Sequence, residues 1–160
     1  MKIFIVHDSE RGNGKLMAER LETELKALGA TVVVGHRSEI TPEQVASGAP
    51  KLLIIGSAVR KFMMSPPAKR WIASLASKLK ASGSLIPYVA TFITHLMPDQ
   101  IVEGRVERLK RHILSSGSIG EVYSEWLSGQ VKAIPGPFVD GVIERTSKYA
   151  ADVHAWVQSH

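Results

Sequence analysis

An α/β domain built on an open parallel sheet, with helices on both faces, is the fold class this sequence predicts, and three observations carry the prediction. Five short β-favouring runs, at residues 2–6, 30–35, 51–57, 84–93 and 118–127, alternate with helical patterns or turns at 14–29, 41–45, 65–83, 98–117 and 138–158. The third run, "KLLIIGS", is almost continuously apolar, as expected of a central strand covered on both faces. Finally, 160 residues with 44% hydrophobic content suffice for one well-packed domain and are few for two, so residues 1–160 are read as a single domain.

Each element has its own signal. "KIFIV" is a compact β-favouring run, and "GKLMAERLETELKALG" after it places Leu16, Ala18, Leu21, Leu25 and Leu28 near one helical face before Gly29. "ATVVVG" reads as the second strand, and "TPEQV" as a helical turn with Thr41 as its cap and Pro42 at its first position. In "SPPAKRWIASLASKLKASG", Trp71, Leu75 and Leu79 recur every four residues after an opening by Ser65 and two prolines. "SLIPYVATFI" is the fourth strand, with Pro87 near its beginning, where a missing donor can be accommodated. "PDQIVEGRVERLKRHILSSG" alternates apolar and charged residues at helical spacing, "SIGEVYSEWL" supplies the fifth strand, and "FVDGVIERTSKYAADVHAWVQ" the closing helix. Trp71, Trp126 and Trp156 fall in helical or strand settings and are read as packing residues.

Composition removes several function classes. Without cysteine there is no disulfide, iron–sulfur or thiolate chemistry, so redox work requires an organic cofactor. The six histidines are dispersed and form no His-Glu-x-x-His pattern, which gives no metal site, and no Gly-x-Ser-x-Gly elbow is present. The first residues lack the apolar stretch of a signal peptide, and no run approaches the roughly 18 residues of a membrane helix, so a cytoplasmic protein without membrane insertion is expected. The net charge of +5 favours anionic partners, yet Lys and Arg are interspersed with Glu and Asp, and no nucleic-acid-binding motif accompanies them.

In open parallel sheets ligands bind beyond the carboxyl ends of the strands, so the loops that begin near residues 7, 56 and 93 carry the functional question. The first, "HDSERGNG", turns from a strand into a helix whose leading N–H groups are unpaired, a ready site for an anion. Gly12 and Gly14 permit close backbone approach, and Ser9 and Asn13 offer side-chain donors. The simpler reading makes Asn13 the helix cap and the glycines shapers of a turn. Neither the dinucleotide fingerprint nor the nucleoside-triphosphate loop is present.

"KIFIVHDSERGNGKLMAERL" resembles the opening of the flavodoxin family, whose first strand feeds a Ser/Thr-rich Gly-Asn-Thr loop around the phosphate of flavin mononucleotide (FMN). The match runs through Ser9, Glu10, Arg11, Gly12 and Asn13, with Gly14 where the family commonly has Thr. The resemblance implies a flavodoxin-like three-layer sandwich with a five-stranded parallel sheet in the order 2-1-3-4-5. It also implies a second loop, in which Ser57, Ala58, Val59 and Arg60 leave the central strand and Phe62 faces the flavin ring. "GSAVR" is similar there to the flavodoxin-type protoporphyrinogen oxidases, and residues 58–64 hold no glycine to host the peptide flip of many flavodoxins. In the third loop Thr91, Phe92 and His95 occupy the family's remaining flavin-contacting region, although side-chain alternation prevents all of them from facing one ring.

The expected function is that of an FMN-binding electron-transfer flavoprotein or flavodoxin-like oxidoreductase, a carrier rather than a dedicated enzyme, with no catalytic side chain assigned. Its partner is a redox protein or a small quinone- or porphyrinogen-like substrate. The alternative is a flavin-free flavodoxin-like domain with a regulatory or protein-interaction role.

Overall fold

Side chains alternate across a strand, so apolar strands between two layers of helices bury both faces at once. The computed structural model describes residues 1–60 and 63–160, with Arg60, Met63 and Met64 described by their backbone alone. In chain order the elements are β1 (Lys2–His7), α1 (Asn13–Ala27), β2 (Thr31–His36), α2 (Pro42–Gly48), β3 (Leu52–Arg60), β4 (Met63–Met64) and α3 (Pro66–Ser82). They continue with β5 (Ile86–His95), α4 (Asp99–Leu114), β6 (Ile119–Val122), β7 (Leu127–Gln130) and α5 (Val142–Ser159).

The sheet runs β2-β1-β3-β5-β6, all parallel, with β7 continuing the outer position beside β5 and β4 folded back antiparallel on β3. By parallel position this is the expected order 2-1-3-4-5 with a further strand segment at its edge. The register sets Ile5 beside Ile54 and Ile54 beside Ala90, so the centres of β1, β3 and β5 lie abreast.

Alternation sorts the core into two. Phe4, Val6, Leu53, Ile55 and Ile93 face α2, α3 and α4, where they meet Val45, Trp71, Leu75, Val102 and Val106. Ile3, Ile5, Leu52, Ile54 and Phe92 face α1 and α5, against Leu21, Leu25, Ala150 and Val153. Burial at about 25 cal/mol per Å² of apolar surface makes these two layers the main source of stability. Polar details fix their edges. The Trp71 indole N–H donates to the Ile40 carbonyl at 2.9 Å, and Thr41 and Gln44 form a reciprocal capping box at the start of α2.

One helix face and two element boundaries differ from the sequence reading for physical reasons. The face of α1 that packs is Met17, Ala18, Leu21 and Leu25, while Leu16 and Leu28 are exposed: Leu16 lies on the side of the helix opposite the 3.6-residue stripe, and Leu28 is the C-cap, past the last helical turn. β3 extends to Arg60 because β4 pairs back on its end. α5 begins at Val142, since Phe138 is engaged in a bridge with Val131 and Gly141 turns the chain at φ 86°.

The fifth strand is split. β6 pairs with β5 as far as Val122, and β7 resumes beside Phe92–His95, so Thr91 has no strand neighbour on that side. The Tyr149 hydroxyl fills the place, accepting from the Thr91 N–H at 3.2 Å and donating to the Thr91 carbonyl at 2.9 Å. Across the intervening connection the Lys110 ammonium, itself buried, donates to the Ser124 carbonyl and to Glu107 at 3.1 Å. Pro87 is accommodated because its neighbours Ile86 and Tyr88, and not Pro87 itself, are in register with β6. Among the described residues no helix is long and apolar enough to cross a membrane.

Candidate functional site

The carboxyl ends of β1, β3 and β5 release three loops side by side, because these strands are sheet neighbours. After His7 the chain reverses through Gly12 at φ 92°, a conformation that favours glycine, and enters α1. Asn13 does not cap this helix. The Ser9 hydroxyl oxygen does so from outside the helix, accepting the N–H groups of Gly12 at 3.0 Å and Gly14 at 3.1 Å. Among the described residues no hydrogen bond engages the N–H groups of Asn13 or Lys15, so the first turn keeps open donors along with its dipole.

Gly14 is explained by the same serine. A Cβ at position 14 would stand 3.0 Å from Ser9 Cβ, so the Thr found here in the flavodoxin pattern would require Ser9 to shift by a few tenths of an ångström. The resulting cradle trades the hydroxyl of residue 14 for that of Ser9. The backbone beneath is fastened from behind. The Ser9 N–H donates to His7 Nδ1 at 3.2 Å, which requires that nitrogen to be unprotonated, and burial together with the neighbouring His36 ring holds His7 below the ordinary imidazole range.

Asp8 joins the first loop to the second. Its N–H donates to the Gly56 carbonyl at 3.2 Å, and its buried carboxylate accepts the Ala58 N–H at 3.1 Å and the Ser57 hydroxyl at 3.4 Å. The two loops are therefore fastened to each other, although no pattern in the sequence singles out Asp8.

These loops open on a cavity of about 500 Å³. Of the residues expected at a site, Ser9, Glu10, Arg11, Asn13, Ala58, Val59 and His95 line it. Gly12 and Gly14 lie just behind, holding the turn, and Ser57 is buried against Asp8. Thr91 and Phe92 are fully buried in the sheet; the Phe92 ring fills the space left by Gly56, where a Cβ would come within 2.0 Å of it. The Arg60 side chain and Phe62 lie outside the described residues. Thr94, which the sequence already places in the third loop, also lines the cavity, together with Leu96, Met97, Val131 and Ile134, which the sequence does not single out. Thr94, Leu96 and Met97 follow from the extension of β5 to His95. Val131 and Ile134 arrive on a connection held by the Val131–Phe138 bridge and by the Lys132 N–H donating to the Pro137 carbonyl at 2.9 Å. A Pro/Gly-rich stretch, "AIPGPF", was the only advance sign of that loop.

His95 is buried at the end of β5. Its Nδ1 lies 2.6 Å from the Met97 carbonyl and its Nε2 3.0 Å from Ser128 Oγ; Ser128 in turn donates to Asp99 at 2.6 Å. The Trp126 ring stands 5.8 Å from the imidazole. Burial lowers the proton affinity of His95 more than the Met97 carbonyl and Asp99 raise it. Asp99 and Ser128 also border a second, charged cleft of about 480 Å³ that includes Glu103, Arg145 and Lys148.

The site thus combines a helix N-terminus able to hold an anion with a pocket whose walls at Ala58, Val59, Leu96 and Met97 are apolar. No family model and no curated protein matches the chain. Solved structures do. A flavodoxin from the domain Archaea superposes with a TM-score of 0.74 at 15% identity, over 99% of this chain and 99% of that one. Oxidised flavodoxin 1 from Bacillus cereus gives 0.70 at 12%, over 97% and 98%. Rubredoxin oxygen:oxidoreductase from Desulfovibrio gigas gives 0.77 at 14%, over 99% of this chain and 36% of that longer one. With β2-β1-β3-β5-β6 topology and agreement along almost its whole length, the chain has the flavodoxin-like fold.

Proposed function

We propose that the chain binds FMN and works as an electron-transfer flavoprotein. One observation carries the reading: the Ser9–Gly14 cradle, with open helix N–H donors, stands at the mouth of an apolar cavity on the carboxyl edge of the sheet. FMN has a phosphate for the first and an aromatic ring system for the second. The N–H groups of Asn13 and Lys15 and the Ser9 hydroxyl would hold the phosphate, and Ala58, Val59, Leu96 and Met97 would enclose the ring and exclude water. When bound, the isoalloxazine supplies the redox chemistry, and the protein supplies orientation and electrostatics. Exposed Arg11 and Lys15 beside this mouth favour an acidic redox protein as partner over a neutral one, with a small quinone- or porphyrinogen-like acceptor as the second choice.

The test is a titration of the purified protein with FMN and with riboflavin, followed by removal of free cofactor. Quenched fluorescence, a retained visible spectrum and preference for FMN are expected. Absence of binding at high micromolar cofactor would refute the reading and leave a flavin-free interaction domain.

A further inference from the structure

The contacts around His95 contain a proton count that a neutral imidazole, a serine and a carboxylate do not meet. A carbonyl only accepts, so the 2.6 Å contact with Met97 requires hydrogen on Nδ1. Ser128 Oγ and Asp99 Oδ1 are also 2.6 Å apart, which requires a proton between the two oxygens. Nε2 stands 3.0 Å from the same Oγ and 3.3 Å from Asp99 Oδ1. Three contacts need three protons, and neutral imidazole with serine brings two. A third completes the set in either of two placements. On Nε2 it makes an imidazolium that donates to Ser128 while Ser128 donates to the carboxylate. On Asp99 it lets the acid donate to Ser128 while Ser128 donates to Nε2. Both forms are neutral overall and keep every contact; without the third proton one contact must open.

We propose that His95, Ser128 and Asp99 form a one-proton latch on the cavity wall, in which Asp99 and Ser128 position His95 and proton binding fastens the Leu96–Met97 turn. The imidazole is shut off from solvent while the Asp99 side chain is about half exposed, so the proton enters from the charged cleft at Asp99. The charged groups facing the imidazole are Asp99 at the start of α4 and Arg145 on α5; Trp126 adds an uncharged ring. Burial and Arg145 oppose protonation, so the latch fastens on the acid side of neutrality. Because Thr94, His95, Leu96 and Met97 form one wall of the cavity, its ligand is held more firmly when the latch is closed. This last consequence rests on the flavin reading; the proton count does not.

The test has two arms. In the flavin-free protein, nitrogen-detected NMR of the His95 ring is followed from pH 5 to 8. Wild type is expected to gain a second protonated ring nitrogen, or a protonated Asp99 carboxyl, in one step. Asp99→Asn keeps an acceptor for Ser128 but removes the charge, so its midpoint falls by about one pH unit or more. Ser128→Ala breaks the link and serves as the second variant if Asp99→Asn does not fold. In the other arm riboflavin, which lacks a titrating phosphate, is the probe. Its Kd in wild type falls about threefold or more as the pH is lowered and the proton binds, and stays flat in the variants. A His95 ring that remains singly protonated in wild type, with Asp99 ionised throughout, overturns the latch, and equal riboflavin profiles in wild type and variants overturn its effect on the cavity. If no flavin binds to any form, the proposed function fails, and the NMR titration alone decides the latch.

Discussion

Replacing Tyr149 by Phe removes one oxygen and leaves two backbone groups of the sheet without partners. The Tyr149 hydroxyl is completely buried, and its contacts with the Thr91 N–H and carbonyl stand where a continuous fifth strand would have supplied a backbone ladder. Burial holds the phenol far above its ordinary titration range, so the group acts as donor and acceptor at every accessible pH. A buried donor or acceptor left unsatisfied costs about 1–3 kcal/mol. Two such groups, less the gain from no longer burying the hydroxyl, give a loss of about 2–4 kcal/mol. With a urea slope of about 2 kcal/mol per M, the unfolding midpoint falls by about 1–2 M. Equilibrium urea unfolding, followed by tryptophan fluorescence and far-UV circular dichroism, measures it. A loss below about 0.5 kcal/mol at unchanged slope would show that the Thr91 groups find other partners, and would refute the claim that this side chain replaces a strand.

Other perturbations test the site and its supports. Gly56→Ala puts a methyl 2.0 Å from the Phe92 ring in a closed core, and thermal unfolding should register a loss of about 1–3 kcal/mol or more. Ser9→Ala removes the acceptor for the Gly12 and Gly14 N–H groups; a stability loss of about 1 kcal/mol is expected, together with a larger drop in affinity for FMN than for riboflavin in parallel titrations. Gly14→Thr crowds Ser9 at 3.0 Å, so it should weaken FMN retention in spite of restoring the flavodoxin residue, and tighter binding would contradict the packing argument. His7 has a proton affinity lowered by burial and His36, so the folded chain binds less proton there than the unfolded chain. Its contribution to stability is present above about pH 6.5 and is lost as the pH falls toward the lowered folded value; His7→Asn, which retains an acceptor for Ser9, should flatten that part of the stability profile.

Much of this molecule is local in origin and is legible in the residues. The continuous apolar run Leu52–Ile55 fits a strand buried on both faces, and the Trp71, Leu75, Leu79 spacing fits one buried side of a helix. Five such strands joined by helical crossovers leave few topologies, and one of them sets the carboxyl ends of β1 and β3 together. The loop after the first strand was visible for the same reason: Gly12, Asn13 and Gly14 between a strand and a helix concern only neighbours in sequence.

What the sequence did not disclose depends on residues far apart in the chain. Ser9 rather than Asn13 cradles the helix start, since the loop folds inward over Gly14 and is fastened by Asp8 to Ser57 and Ala58, about fifty positions away. The gap in the fifth strand is filled by Tyr149, whose hydroxyl reaches Thr91 across 58 positions. His95, Asp99 and Ser128 carry no shared motif and meet because β7 lies beside the end of β5. Composition and periodicity therefore determined the layers and the sheet edge on which the cavity opens. Only the tertiary structure decided which side chains occupy that edge, because hydrogen-bond geometry and close packing depend on ångström-scale placement that side-chain periodicity does not encode.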